Sequence, residues 1–196
     1  GDGPCEMRLW LDEEESHFRF SGKAEKGVGE ASAPEAARNA TSIFIPAKEV
    51  MSTLSAIKES RKQQKFGFDD PTYDLVLSLE SEPSQGAPRF GPARSELESL
   101  VGGRLLERSG RGWVFKAGRH EHPVAITAEG IKKIAIIDRL IVNRTLSRES
   151  ILFLDEPESF LHPQAVVQLL EILGHLVNDG VQIFMATHSY FVLKKL

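Results

Sequence analysis

Apolar residues at Met7, Leu9 and Leu11 alternate with polar neighbours, an acidic turn Asp12-Glu13-Glu14-Glu15 intervenes, and Phe18 and Phe20 resume the alternation. That period of two predicts a β-hairpin. Residues 22–41 hold mostly Gly, Ala, Ser, Lys and Glu with few large apolar side chains, which reads as a mobile loop. Ser42-Ile43-Phe44-Ile45 is a short buried-strand pattern stopped by Pro46. From Ala47 the spacing changes. Val50, Met51, Leu54 and Ile57 fall on one helical face, and Lys58, Arg61, Lys62 and Lys65 gather at the end where a helix dipole favours cations. Asp70-Pro71 opens a second helix carrying Tyr73, Val76, Leu77 and Leu79. Three Pro and two Gly between Ser81 and Pro92 predict a loop. A short helix over Ser95–Val101 follows, closed by Gly102-Gly103, then short strands at Leu105, Trp113-Val114-Phe115 and Val124-Ala125-Ile126.

The C-terminal third carries the clearest pattern. Residues 128–142 form a helix with Ile131, Ile134, Ala135 and Ile141 inward and Asp138 as a polar break. Ile151-Leu152-Phe153-Leu154 is a continuous apolar run, expected to be a strand buried on both faces. Pro163 opens a helix with Val166, Leu169, Leu170, Leu173, Leu176 and Val177 inward, and Gly180 leads into the strand Val181-Gln182-Ile183-Phe184-Met185. Strand, crossover helix and strand make a βαβ unit. The expected fold class is therefore α/β, a parallel sheet with packed helices, plus an N-terminal β-hairpin and small antiparallel strands.

Composition narrows this little. At 196 residues, 41% hydrophobic and 27% charged, the chain suits one good core and excludes disordered, collagen-like and disulfide-scaffold classes. A net charge of −4 argues against a uniformly basic nucleic-acid coat. Cys5 is the only cysteine, so no intrachain disulfide can form and a cytoplasmic location is expected. No apolar run approaches the ~20 residues of a membrane span, so no membrane partner is expected. The chain opens Gly1-Asp2-Gly3-Pro4 and stops at Leu196 inside a starting helix, the expectation being a piece of a longer protein.

The candidate chemistry lies beyond the apolar strands. Asp155-Glu156 follow Ile151–Leu154 directly, and in open α/β sheets ligands bind off that edge. An Asp there can hold a hydrated Mg²⁺, and a neighbouring Glu can polarise an attacking water. After the next strand, Ala186-Thr187-His188-Ser189 puts an imidazole at the end of a neighbouring strand.

The whole combination, ILFL-DEPE-SFLHP, a helix, then VQIFMATHS, resembles the Walker B, D-loop and H-loop of an ABC-type ATPase head. The version here, DEPE followed by LHP, is similar to the branch of ABC-like AAA proteins related to RecF, SMC and OLD, and Phe44–Glu49 and Ala128–Lys133 resemble further segments of that branch. The resemblance implies the C-terminal lobe of a P-loop NTPase fold. The whole of 1–196 would then be a partial ABC-type ATPase domain: a β-rich segment over 1–45, a helical and loop insertion over 46–123, and the signature, Walker B and H-loop lobe over 124–196. It further implies ATP and Mg²⁺ as cofactors, Asp155 as the magnesium acid, Glu156 as the catalytic base and His188 as the switch histidine. Residues 159–163 would be a D-loop at a head–head interface, with His162 in place of the usual Asp. Ala128–Gly130 would be the signature motif facing a phosphate bound by a second head. Ala128 and Glu129 replace its usual Ser and first Gly, so only Gly130 keeps the pattern, and Glu129 adds a carboxylate that opposes a phosphate.

A P-loop, G-x-x-x-x-G-K-[ST], should cradle the phosphates. The single Gly-Lys pair, Gly22-Lys23, has His17 where the first Gly belongs and Ala24 where Ser or Thr should follow, and no Q-loop stands out. The expectation is that an N-terminal lobe lies elsewhere and that this chain alone hydrolyses ATP negligibly. The expected function is a nucleotide-driven dimerisation switch in DNA maintenance or phage defence, partnered by a second head and by a nuclease or effector subunit. The alternative is a non-enzymatic module that keeps the fold without nucleotide. His120-Glu121-His122 offers two zinc-ligand types with no third nearby, so an exposed turn is favoured. Arg61, Lys62, Lys65, Arg108, Arg111 and Arg119 could contact nucleic-acid phosphates, although a solvated basic face is the commoner meaning of such a set.

Overall fold

A computed structural model describes the backbone of residues 5–11, 14–20, 30–31, 40–63, 67–83 and 90–196, and the side chains from residue 40 onward within those ranges. It divides into two units, Gly1–Asn39 and Ala40–Leu196. The first holds the expected hairpin. β1 (Cys5–Leu11) pairs antiparallel with β2 (Glu14–Phe20), which also pairs with a two-residue β3 (Glu30–Ala31). Apart from Glu30, Ala31 and the last residues, the loop expected over 22–41 lies outside the described residues, as do Lys65 and most of the loop expected over 81–92.

The second unit is built on a parallel sheet of β4 (Ser42–Ile45), β8 (Ile151–Asp155) and β9 (Gln182–Ala186), with β8 central. The helix joining β8 to β9, α5 (Pro163–Asn178), begins at Pro163, where a missing N–H costs nothing. One face of the sheet packs into the core, buried along β4 and β8 and partly buried at Ile183 and Met185 of β9. Ile43, Ile45, Leu152 and Leu154 enter one core with Ile134, Ile137 and Ile141 of α4 (Glu129–Val142) and with Leu169, Leu173 and Leu176 of α5. The helices α1 (Leu54–Lys62), α2 (Asp70–Glu80) and α3 (Gly91–Val101) complete that core through Ile57, Leu75, Val76, Leu79 and Leu97. Gly102, at φ 70°, ends α3 in the left-handed geometry that a Cβ disfavours. A separate antiparallel meander of β5 (Arg104–Arg108), β6 (Gly112–Ala117) and β7 (His120–Pro123) adds Leu105, Trp113 and Phe115 to the core. The Arg139 guanidinium lies 5.0 Å over the Trp113 ring and donates to Leu79 O and Ser81 O. A last short helix, α6 (Tyr190–Lys195), follows β9.

Several expectations are corrected. Residues 47–53 are turns and not helix, because Glu49 accepts the Ser52 N–H and is drawn into α4; α1 starts at Leu54. Helix α3 begins at Gly91, with Pro92 in its first turn. Val124–Ile126 is a 3₁₀ turn, and the third meander strand is His120–Pro123 instead. Val177 faces outward, half-exposed. Asp138 is not a break: it is buried inside α4, burial raises its carboxyl, and Arg94 Nε answers it at 3.1 Å. The apolar run of β8 is also not covered on both faces. Phe44, Phe153 and Phe184 share one register row across the three strands, Phe153 and Phe184 stack at 5.2 Å, and these two remain 38% and 48% exposed.

Candidate functional site

Two parallel strands end side by side, Asp155 opposite Ala186, and the candidate residues sit just past that line. The Glu156 N–H donates to Ala186 O at 2.8 Å, extending the ladder by one bond. Glu156 itself has φ 43° and Phe160 φ 64°. Left-handed backbone at two non-glycine residues marks a turn imposed by its surroundings. Ser159 N–H donates to Glu156 O, and Ser159 Oγ donates to Glu156 Oε2 at 3.0 Å, which orients the carboxylate. Its other oxygen, Oε1, lies 3.8 Å from His188 Nε2. The imidazole is almost wholly exposed at 94%, and the Glu156 side chain is 36% exposed. Asp155, Glu156 and His188 thus occupy one edge, and Glu156 faces His188.

Further groups tie the two strand exits together, none of them singled out by the sequence. Thr187 Oγ1 donates to Glu158 Oε1 and accepts from Ser189 N–H at 2.9 Å. Glu158 Oε2 is buried with no hydrogen-bond partner among the described residues. Behind the turn, Lys133 Nζ of α4 donates to the carbonyls of Ala47, Asp155 and Glu156. Burial lowers the Lys133 ammonium from its usual range, while the charges of Asp155, Glu158 and Glu156 work the other way. The neighbouring Lys132 donates to Glu49 Oε1 at 2.6 Å and to Ser52 Oγ at 2.7 Å. Two consecutive lysines inside an apolar helical pattern were the available sequence signal.

The candidate nucleotide-contacting residues fall differently. Ala128 caps α4 and is exposed with Glu129, whereas Gly130 is buried. A Cβ on Gly130 would lie 2.5 Å from Phe160 O and 2.7 Å from Leu161 Cδ2, so the start of α4 is seated on the 158–161 turn of the same chain. Gly130→Ala is accordingly expected to lower stability by about 1–3 kcal/mol, the usual cost of overpacking, read as a shifted urea midpoint. An unchanged midpoint would mean that the close approach is absent in solution. His162 accepts Gln164 N–H on Nδ1 at 3.3 Å and so caps α5.

The remaining candidates disperse. The rings of His120 and His122 stack at 6.4 Å on β7, and among the described residues no three His, Cys, Asp or Glu side chains gather as a metal cage. Arg61 pairs with Asp70 at 2.7 Å and covers Tyr73, and Arg108 pairs with Glu121. Lys62, Arg111 and Arg119 are exposed. The donor set at Asp155 and Glu156 fits a cation that keeps much of its water and is completed by a phosphate, the habit of Mg²⁺, and not a resident metal held by protein alone. No helix among the described residues is long and apolar enough to cross a membrane.

Comparison with known proteins adds relatives to this geometry. A family profile described as "AAA domain, putative AbiEii toxin, Type IV TA system" matches residues 8–194. The energy-coupling factor transporter ATP-binding protein EcfA of Methanococcus maripaludis is 26% identical over 149 residues, covering 76% of this chain and 50% of its own length. EcfA2 of Mesomycoplasma hyopneumoniae is 27% identical over 137 residues, covering 69% of this chain and 43% of its own. The chain therefore spans about half the length of the curated relatives it matches. A solved Smc head bound to the C-terminal winged-helix domain of ScpA aligns at 14% identity and a TM-score of 0.48, over 94% of this chain and 63% of that one.

Proposed function

The chain belongs to this AAA domain family, with ABC-type ATP-binding proteins among its relatives, and from that premise we propose that it carries the acid half of an ATP site, completed by a P-loop lobe outside these 196 residues. In this reading residues 124–196 are the catalytic lobe, 46–123 a helical and loop insertion that includes the β5–β7 meander, and 1–45 a β-rich segment whose last strand, β4, pairs with β8 of the lobe. The observation that carries it is the placement of Asp155, Glu156 and His188 on one sheet edge, with Glu156 Oε1 3.8 Å from His188 Nε2. Two features of the sheet support a second lobe. Strand β9 pairs only with β8 among the described residues, and the Phe153–Phe184 face beside it is partly bare.

The chemistry follows from where each group stands. Asp155 would hold Mg²⁺ through the water shell of the ion, and the bound metal would offset the charge of the γ-phosphate of ATP. Glu156, fixed by Ser159 Oγ, accepts a hydrogen bond from a water and takes its proton as that water attacks. His188, free to reach outward, donates to the γ-phosphate side and reports its presence to the 187–189 segment. Through Thr187 and Glu158 that segment is bonded to the 158–161 turn, the surface a second head would meet. ATP would thus close two heads and hydrolysis would release them, with DNA maintenance or phage defence as the setting and a nuclease or effector subunit as reader.

Sedimentation of the protein expressed with its upstream reading frame tests this. Mg²⁺–ATP should drive Glu156→Gln into a stable dimer while the wild type returns to monomer as ATP is consumed. A Glu156→Gln protein that stays monomeric at saturating ATP would support the alternative, a fold retained as a non-enzymatic interaction module.

A further inference from the structure

The carbonyls of Asp155 and Glu156 stand where the sheet comes apart. Ile45–Leu154 is the last register pair between β4 and β8, and beyond it neither strand's backbone has the other as a partner. Carbonyls left at such a divergence need donors. Lys133 supplies them: its Nζ lies 3.0 Å from Ala47 O, 2.9 Å from Asp155 O and 2.5 Å from Glu156 O. The residue is 4% exposed, and its three acceptors match the three donors of an ammonium. Glu156 meanwhile holds φ 43°, a conformation that a non-glycine residue keeps only when its surroundings over-determine it. The Glu156 N–H donating to Ala186 O and the Ser159 N–H donating to Glu156 O hold the turn from the front; Lys133 holds it from behind.

We propose that Lys133 is the positioning residue of Glu156: its ammonium ties the ends of β4 and β8 together and keeps the left-handed turn that aims the Glu156 carboxylate toward His188. The inference rests on the proposed function only for what Glu156 does once aimed. The bonds of Lys133 go to the backbone carbonyls of Ala47, Asp155 and Glu156 and not to the Glu156 carboxylate, so its loss should loosen the turn locally and slow the chemical step without weakening ATP binding.

Amide hydrogen exchange on the 196-residue chain, wild type against Lys133→Met and Lys133→Arg, tests the geometry. In Lys133→Met the amides of Glu156, Ser159 and Leu161 should exchange at least about 10-fold faster while those of Val166–Leu176 keep their rates, and Lys133→Arg should recover part of the protection. Unchanged exchange at 156–161 would overturn the proposal. So would equal acceleration of α5 in both variants, which would make Lys133 a general stability element. In the protein with its upstream reading frame, Lys133→Met should lower kcat about 10-fold or more with KM for ATP held within about 2-fold. A matching rise in KM with kcat intact would contradict positioning. Absence of turnover in the wild type would remove the proposed function, and the exchange result would still decide Lys133.

Discussion

Glu156→Gln is expected to cut ATP turnover by about 10²–10⁴-fold, the range that a positioned general base contributes. The substitution is nearly isosteric, and the amide oxygen can still accept from Ser159 Oγ, so the turn that presents the side chain should survive. What is lost is the capacity to take a proton, which matters only as the attacking water gives one up. KM for ATP should therefore move little while kcat falls. Stability should also hold to within about 0.5 kcal/mol, because the side chain is over a third exposed and no buried charge is left behind. Steady-state kinetics together with a urea titration separate these outcomes. Turnover that is unchanged in a folded Glu156→Gln protein would reduce Glu156 to a solvated loop acid.

Lys132→Met is expected to destabilise the chain by about 3–5 kcal/mol, the usual result of removing one partner of a buried ion pair. Lys132 and Glu49 have side-chain exposures of 4% and 5%, and the pair closes at 2.6 Å with Ser52 Oγ as a further acceptor for the ammonium. Without Lys132 the Glu49 carboxylate would be stranded in the core. A loss of that size is a large share of the 5–15 kcal/mol typical of a domain. The double variant Lys132→Met/Glu49→Leu should recover most of it, since replacing both charges by apolar groups is often neutral. The pair also sets an acid limb. Burial opposes the Glu49 charge, but hydrogen bonds from Lys132 and Ser52 together outweigh it, and the folded carboxyl titrates below its ordinary value near 4.5. The native state then binds fewer protons than the unfolded chain, so this contribution is complete above about pH 4.5 and is lost as pH falls through the lowered value. Urea midpoints between pH 7 and 3 should show that loss in the wild type and a much reduced one in the double variant. A single Lys132→Met variant as stable as the wild type would contradict the buried pair.

The parts of this fold legible in the sequence are those in which local period and tertiary burial agree. Ile151–Leu154 and Val181–Met185, joined by one amphipathic helix, gave the parallel pair and with it the edge on which Asp155, Glu156 and His188 meet. Burial on one face only was not legible. A continuous run such as Ile-Leu-Phe-Leu has the same appearance whether both faces are covered or one awaits a partner, and only the register of Phe44, Phe153 and Phe184 separates the two. Residues 47–53 carry helical spacing, yet the Glu49–Lys132 bond, between residues 83 apart, pulls that segment out of helix. Lys132 and Lys133 were hidden for the same reason: periodicity counts a lysine as solvent-facing, and the acceptors that bury these two come from distant segments. Likewise Gly130 matches a motif position, but its need for no side chain comes from Phe160 and Leu161 against it.

The most direct test of the central claim is ATP turnover by the 196-residue chain itself, with Mg²⁺ present, measured beside the same protein carrying its upstream reading frame. If Asp155 and Glu156 are half of a site, the chain alone should show no turnover above background. The longer protein should hydrolyse ATP, encode G-x-x-x-x-G-K-[ST] ahead of Gly1, and lose activity in Glu156→Gln. Turnover by the 196-residue chain that Glu156→Gln abolishes would contradict the account, because the site would then be whole without a P-loop.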